Sequence, residues 1–125
     1  MPLRTRRTIL PPLALLAAFV GCRGQLAHSR ADDEIARGRA AIDALGCGTC
    51  HHIDGVLNAD GDVGPSLSGI GGRAILAGQL PNTDENMRRW IANPQAIEPG
   101  VAMPPFGGAP DSVLRDIVAY LRTLR

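Results

Sequence analysis

The chain contains no lysine, few aromatic residues and few cysteines. Its 125 residues include one Trp, one Tyr, two Phe and three Cys, against 15 Gly and 10 Pro. The chain is long enough for one small domain, but so little aromatic surface and so much Gly and Pro leave limited apolar material for a core. A core built from these side chains alone is therefore expected to be small.

The chain also lacks an excess of charge of either sign. Ten of the thirteen arginines lie beyond residue 21, against twelve acidic residues, and this gives that part a net charge of about −2 with histidine neutral. Nucleic-acid binding usually has a basic patch as its electrostatic signature. The charge pattern therefore gives no reason to expect a nucleic-acid partner.

No apolar run in the sequence has the length of a membrane-spanning helix. The most apolar stretch, residues 9–20, has twelve residues and contains Pro11 and Pro12, whereas a spanning helix needs ~20 apolar residues. Three arginines precede this stretch and Gly21 follows it. A basic start, a short apolar run and a small residue before the cleavage point predict a signal peptide over residues 1–21 and export of the chain.

Cys22 directly follows this leader. Phe19-Val20-Gly21-Cys22 resembles the lipobox of bacterial lipoproteins, in which the Cys is lipidated and becomes the mature N-terminus, although Phe is less usual than Leu at the first position. An ordinary signal peptide with an incidental Cys is the alternative, but an unpaired thiol is a liability in an oxidising compartment. We expect a lipid on Cys22, which would anchor the protein on the periplasmic side of a bacterial membrane; without it, the protein would be soluble in the periplasm.

Cys47-Gly48-Thr49-Cys50-His51 is the most specific motif in the chain. Two thiols three positions apart, followed at once by an imidazole, form the attachment signature of a c-type haem. Cys47 and Cys50 would each add to one vinyl group of the porphyrin, and His51 would bind the iron as the proximal ligand. The motif predicts one covalently attached haem c. A haem would also supply the apolar body that the side chains lack, so we expect the fold to form around it.

Two other interpretations of these five residues are possible. A Cys-x-x-Cys pair is also the redox disulfide of thioredoxin-like proteins, but the βαβ pattern that accompanies it is missing here. Half of a zinc site is the other interpretation of the pair, but no second Cys pair follows it. Only His28, His51 and His52 are then left to complete the shell.

The hydrophobic periodicity predicts an all-α domain over residues 32–125, joined to the leader by an irregular tether at residues 22–31. The expected helices are one capped by Asp32 or Asp33 that ends near Gly46, one capped by Asn82 or Thr83 that ends at Pro94, and one from a cap at Asp111 to about Leu124. The expected core faces are Ile35, Gly38, Ile42 and Leu45 on the first helix, Met87, Trp90 and Ile91 on the second, and Val113, Ile117, Tyr120, Leu121 and Leu124 on the third. No strand is predicted.

The segment between the first two helices is rich in glycine and irregular. A short helical piece at residues 73–77 is the one regular element predicted there, and the rest suits a backbone that wraps the edge of a cofactor. Asn58, Asp60 and Asp62 alternate as in some calcium loops. The remaining positions of such a loop are absent, so we interpret the three as turn residues.

Met103 is the candidate for the second axial ligand. Pro104 restricts the backbone of Met103 to extended angles and Pro105 stiffens the loop further. Such a loop is expected to hold a weak thioether ligand without help from other residues. His52 is too close in sequence to the proximal ligand to reach the opposite face of the ring, and Met87 has the spacing of a core residue.

Together these motifs resemble a class I cytochrome c over residues 33–125. The matching pieces are Gly38-Arg39-Ala40, Cys47 to His51, Gly64-Pro65-Ser66-Leu67, the Met103 loop and Ile117-Val118-Ala119-Tyr120-Leu121. The chain is also similar to a narrower group, the cytochrome c domain fused to subunit II of some bacterial haem–copper oxidases. The pieces that carry this similarity are residues 72–78, residues 80–83, Arg89-Trp90-Ile91 and Asn93-Pro94-Gln95. The resemblance implies a class I cytochrome c fold, with three main helices and short helical turns and loops wrapped around one haem.

The resemblance also implies roles for particular residues. Pro65 would accept a hydrogen bond from the second ring nitrogen of the proximal histidine through its carbonyl. Arg73 and Trp90 would hydrogen-bond the haem propionates, and Gly38 and Tyr120 would lie where the first and last helices cross. The family's basic docking ring is not evident in a chain without lysine.

The expected function is that of an electron carrier rather than an enzyme. With His51 and Met103 both bound, the iron has no position for a small-molecule substrate. The expected donor is on the quinol or dehydrogenase side of a bacterial respiratory chain, and the acceptor is a terminal oxidase or another redox protein. Two alternatives remain open: a ligand-binding or peroxidase-like protein in which Met103 leaves the iron, and a fixed electron-entry subunit of a larger oxidoreductase.

Overall fold

The computed structural model describes the backbone from Ala18 to Arg125 and the side chains from Arg30 onward. Residues Ala31–Arg125 form one compact unit, and the boundary with the preceding unit lies after Arg30. The predicted leader lies outside the described residues as far as position 17, and so do the side chains of Cys22 and His28. Among the helices of the described part, none is both long enough and apolar enough to cross a membrane.

Helices dominate the described part of the chain. The α-helices are α1 (Ala18–Ala44), α2 (Asp84–Ala92) and α3 (Asp111–Thr123). Single 3-10 turns lie at Cys47–Thr49, Ile70–Gly72 and Pro94–Ala96, and two short strands, β1 (Ile75–Leu76) and β2 (Leu80–Pro81), form a hairpin. This order confirms the expected all-α architecture with three main helices.

Helix α1 begins well before the predicted cap. Residues 22–31, expected to form an irregular tether, are helical, and Asp32 and Asp33 lie within α1 rather than at its start. The segment contains no proline, and extending a helix that has already nucleated costs far less than starting one. The predicted end is confirmed: α1 stops at Ala44, and Gly46 follows with a left-handed φ of 70°.

A hairpin replaces the short helical piece predicted at residues 73–77. β1 pairs with β2 in antiparallel register, with Ile75 opposite Pro81 and Leu76 opposite Leu80. Ala77 and Gly78 have φ values of 51° and 73°, which a right-handed helix cannot accommodate. The prediction was wrong because this turn depends on two successive left-handed residues, and Ala77 gives little sequence signal for one.

Helix α2 matches its prediction closely. Thr83 is the cap, and its hydroxyl accepts a hydrogen bond from the Asn86 N–H at 3.2 Å. The helix ends at Ala92, and a 3-10 turn begins at Pro94. Its inner face buries Met87 and Ile91, while Trp90 is half-buried against the same core.

Helix α3 differs from its prediction at the first residue. Pro110 occupies the cap position, and Asp111 is the first helical residue. The Asp111 carboxylate pairs with Arg88 of α2 and Arg115 of α3. The buried face consists of Leu114, Ile117, Val118, Tyr120 and Leu121, with Val113 and Leu124 partly buried beside it. It is thus wider than the predicted stripe.

Helices α1 and α3 cross at Gly38. A Cβ built on Gly38 would lie 1.9 Å from the backbone oxygen of Asp116 and 3.0 Å from the Tyr120 Cβ, so the crossing requires a glycine there. Arg37 fixes the approach because its guanidinium donates to the Asp116 carboxylate at 2.7 and 3.2 Å. Gly38 and Tyr120 therefore meet at the predicted crossing.

Candidate functional site

An apolar cavity of about 420 Å³ lies among the haem-motif turn, the hairpin, α2, α3 and the loop after α2. Its volume falls within the ~300–1,000 Å³ range of small-molecule and cofactor sites. The cavity wall includes all seven residues that the sequence assigned to a cofactor: Cys47, Cys50, His51, Pro65, Arg73, Trp90 and Met103. Residues separated by up to 56 positions in the chain (47 to 103) are thus brought to one site.

The haem-motif turn places two thiols on this wall. After the left-handed Gly46, residues Cys47–Thr49 form a 3-10 turn, and the His51 N–H donates to the Cys47 carbonyl at 3.1 Å. Both thiols are free in this structure. Burial raises the pKa of the Cys47 thiol, because the interior disfavours the thiolate. The two sulfurs are therefore available for covalent attachment on one side of the cavity.

The His51 ring is held in one orientation by the loop that follows the motif. Its Nδ1 lies 2.7 Å from the Pro65 carbonyl oxygen and donates to it, so Nε2 is left as the ring nitrogen that can bind a metal. Gly64 lies directly against the ring, since a Cβ on it would be 2.4 Å from His51 Cε1. The contact agrees with the role that the family resemblance implied for Pro65.

The Met103 loop has a partner that the sequence analysis missed. Gln95, in the 3-10 turn after α2, donates from Nε2 to the carbonyl oxygens of Met103 at 2.6 Å and Val101 at 3.3 Å. The loop therefore has a side-chain hydrogen-bond partner in addition to the two prolines. Gln95 was noted only within the Asn93-Pro94-Gln95 resemblance, and no local pattern pairs a glutamine with a carbonyl eight positions later.

Arg73 and Trp90 lie on the wall at different depths. Arg73 is exposed and donates from Nη2 to the carbonyls of Ser66 and Ser68, both at 2.8 Å. A guanidinium has five N–H donors, so these two bonds leave others for a carboxylate. Trp90 is half-buried on α2. Binding of haem propionates by these two residues stays a prediction.

Residues of the zinc and calcium alternatives have other contacts or turn positions in the described part of the chain. Among the described side chains, no group of three or more His, Cys, Asp and Glu lies close enough together to hold a metal ion. Asn58 has a left-handed φ of 58° in a turn, and the Asp60 carboxylate lies 3.1 Å from His52 Nδ1. His52 is an exposed residue between Asp54 and Asp60. Asn58 therefore has the predicted turn role and His52 the predicted surface role. The turn prediction was wrong for Asp60, which pairs with His52 in an isolated antiparallel β-bridge, and for Asp62, which lies in irregular backbone.

The donor set and the cavity fit a covalently attached, planar and largely apolar cofactor. Two thiols, an imidazole with Nε2 uncommitted, and a thioether lie on a wall that is otherwise mostly apolar. Together the fold and the site define a class of protein, a small helical domain built around a haem. The sequence profile of the cytochrome c family matches residues 35–125, and the chain belongs to that family.

Curated relatives agree with this assignment. The chain is 34% identical over 89 residues to cytochrome c oxidase subunit 2 of Alkalihalophilus pseudofirmus, covering 71% of the chain and 25% of that protein. It is 27% identical over 96 residues to cytochrome c oxidase subunit 2 of Bacillus sp. strain PS3, covering 74% and 27%. It is 34% identical over 100 residues to a cytochrome c homolog of Bradyrhizobium diazoefficiens, covering 69% and 53%. The chain thus spans between a quarter and about half of the length of these relatives.

Family membership settles the coarse function and the fold class. The chain is a c-type cytochrome of class I, with the mostly helical fold of that class, and its family carries electrons on covalently bound haem. The haem motif occurs once in the sequence, which is compatible with a single haem.

Proposed function

We propose that the protein is a mono-haem cytochrome that transfers single electrons in a bacterial respiratory chain, with His51 and Met103 as the axial ligands. The observation that carries the proposal is the meeting of both side chains, with Cys47 and Cys50, on the wall of one apolar cavity. Proximal histidine and thioether are the ligand pair that cytochromes c use to raise the reduction potential. Donor and acceptor would be redox proteins.

Each side chain has a distinct part in this function. When bound, haem supplies an iron that gains and loses one electron. His51 would present Nε2 in a fixed direction because its Nδ1 is held by the Pro65 carbonyl. With Met103 bound as well, the coordination shell would have no position for a substrate, so the protein would carry electrons without transforming a small molecule.

The ligand assignment is tested by the absorption spectrum of the holoprotein in both redox states. Met103→Ala is expected to abolish the near-red absorption band of the ferric iron–thioether bond and to lower the reduction potential, because a soft ligand that favours the reduced iron is lost. Met87→Leu is the matched control, since Met87 also lines the cavity but is a buried core residue of α2 that is not assigned to the iron. An unchanged spectrum in Met103→Ala would defeat the assignment.

A lipid on Cys22 would tether the cytochrome to the periplasmic side of a membrane. The lipobox-like sequence before Cys22 supports this part of the proposal. Cys22→Ala should move the protein from the membrane fraction to the soluble fraction, whereas washing wild-type membranes with high salt should not, because a lipid anchor is not electrostatic. Membrane retention of Cys22→Ala would contradict the lipid anchor.

The relatives favour a second candidate, a fixed electron-entry subunit of a larger oxidoreductase. Two of them are named cytochrome c oxidase subunit 2. Purification in mild detergent separates the candidates: co-elution with other subunits at fixed stoichiometry would indicate a fixed subunit, and elution alone would indicate a diffusing carrier.

A further inference from the structure

We propose that Gln95 is a positioning residue that keeps the Met103 loop closed on the cavity, and so controls how often the sixth position of the iron is open. The proposal rests on the ligation by Met103 proposed above. It adds to that function by identifying Gln95 as the side chain that holds Met103, the weaker of the two proposed ligands, in place.

The loop that carries Met103 has few other hydrogen bonds. Backbone bonds join the Val101 N–H to the Glu98 carbonyl at 3.3 Å and the Phe106 N–H to the Ile91 carbonyl at 3.1 Å. Pro104 and Pro105 have no N–H to donate. Among the described residues, the backbone bonds found do not involve the four positions between Val101 and Phe106. Within the part of the chain that the structure describes, the hydrogen bond from Gln95 to the Met103 carbonyl is therefore the one that reaches this segment.

Gln95 itself sits on a well-anchored element. Its 3-10 turn begins with Pro94, which is buried, and is capped by Asn93, whose side chain accepts from the Ala96 N–H at 3.3 Å. The Gln95 side chain is half-buried, and both of its partners are carbonyl oxygens. The amide must therefore present its NH₂ group to them. One side chain thus joins Val101 and Met103 to the 3-10 turn that follows α2, and this pair of hydrogen bonds is called the clamp below.

Loss of this clamp would raise the fraction of protein molecules in which Met103 is not bound to the iron. An added ligand that competes with Met103 then binds with an apparent affinity proportional to that population. Removing one short and one long hydrogen bond is expected to tighten such binding by roughly tenfold, which is ~1.4 kcal/mol by the usual conversion of one decade.

The test is imidazole binding to the ferric holoprotein, followed together with the near-red thioether band. Gln95→Met keeps the side-chain length but removes both donors, and Gln95→Glu replaces the donors with acceptors that oppose the two carbonyls. Both variants should weaken the band and bind imidazole more tightly, roughly tenfold for Gln95→Met and more for Gln95→Glu. Gln79→Met, on the exposed part of the hairpin, is the matched control and should behave as wild type.

A double-variant cycle separates positioning from general destabilisation. In the Met103→Ala background the Met103 thioether no longer competes and Gln95→Glu adds none, so adding Gln95→Glu should leave imidazole affinity unchanged if Gln95 acts through Met103. An equal effect in both backgrounds would overturn the proposal, as would wild-type band and affinity in both Gln95 variants. If one Gln95 variant does not attach haem, the other variant tests the proposal by the same criteria. If neither Gln95 variant attaches haem while Gln79→Met and Met103→Ala do, Gln95 is needed for folding and the proposal is overturned.

These outcomes also distinguish the two proposals. If wild type lacks the thioether band, or Met103→Ala retains it, the ligation by Met103 fails. If Met103→Ala loses the band but the Gln95 variants match wild type, only the role of Gln95 fails. Tight carbon monoxide binding to the reduced wild-type protein would show that the clamp does not keep the position closed, and it too would overturn the role of Gln95.

Discussion

At the scale of single residues, close approach of backbone atoms limits which side chains this fold accepts. Gly38, Gly64 and Gly48 each lie against another part of the chain: a Cβ on them would come within 1.9, 2.4 and 2.7 Å of atoms of Asp116, His51 and Ala59, respectively. Two of these contacts touch the haem-motif region and one sets a helix crossing. Glycine is therefore required at these sites for packing rather than for an unusual φ.

Gly38→Ala should destabilise the protein although alanine is the better helix former. The added Cβ would overlap the Asp116 backbone oxygen at 1.9 Å, and overpacking against backbone is expected to cost about 3 kcal/mol, more than the ~1 kcal/mol gained in helix propensity. Urea unfolding of the holoprotein measures the difference. Gly72→Ala is the control, because a Cβ there has open space around it and the residue has no positive φ. Equal stability of the two variants would contradict the close crossing.

Tyr120 joins the same crossing to the haem-motif region. The ring is buried, and the hydroxyl donates to the Asp54 carbonyl at 2.7 Å across 66 positions of sequence. A single side chain of α3 therefore holds the segment that follows the haem motif, which supports the position of the loop beside His51.

At the scale of elements, caps and turns decide where each helix begins and ends. The start of α2 is joined to the end of α3 because the Arg122 guanidinium donates to the Asn82 carbonyl at 3.0 Å and to the Asp84 carboxylate at 2.6 Å. The Asn82 side chain in turn donates to the carbonyls of Ile70 and Arg73, both at 2.8 Å. Through Asn82, these hydrogen bonds fix the hairpin, which lines the cavity, to α2 and α3.

Thr83→Ala should destabilise the protein by about 0.5–2 kcal/mol. The reason is that the Asn86 N–H, in the first turn of α2, loses the hydroxyl oxygen that accepts its hydrogen bond. Thermal unfolding of the holoprotein is the measurement. Thr83→Ser keeps the hydroxyl and should restore most of the stability. If serine were as damaging as alanine, the cap would not be the source of the effect.

At the scale of the whole molecule, a cofactor in the cavity would supply apolar surface that a chain poor in aromatics lacks. Buried side chains of all three helices and the hairpin line it, including Ile42, Leu76, Met87 and Ile117. Each of these would lose apolar contacts if the cavity were left open to water. The cofactor proposed for the cavity is therefore expected to be part of the core.

Preventing haem attachment should lower the stability of the whole domain. A group that binds only the folded state stabilises it, so protein produced in a host without c-type haem attachment should unfold at a lower temperature and show less helix by circular dichroism than the holoprotein. The Cys47→Ser, Cys50→Ser double variant, made in a haem-attaching host, offers a second comparison. Equal melting temperatures with and without haem would show that the side chains suffice for the core.

Local patterns in the sequence predicted the elements that depend on neighbouring residues. The haem motif is contiguous, so its chemistry could be recognised from five residues. Thr83 and Gly46 mark helix ends through interactions within one turn, and the spacing of Met87, Ile91, Ile117 and Leu121 places them on buried faces. The helical piece predicted at residues 73–77 was wrong because the turn there has a left-handed φ at Ala77, which alanine rarely adopts. The predicted start of α1 was wrong because helix extension, rather than a cap, determines where α1 begins.

The sequence alone determined which groups this protein offers to a cofactor, because the residues proposed to attach and ligate haem are chemically distinctive and carry their own local signals. Only the tertiary structure decided what holds those groups in place. The contacts of Gln95 with Met103, of Gly38 with Asp116 and of Tyr120 with Asp54 join segments that have no common periodicity. Their geometry follows from the path of the backbone between elements, and that path is set by packing of the complete chain.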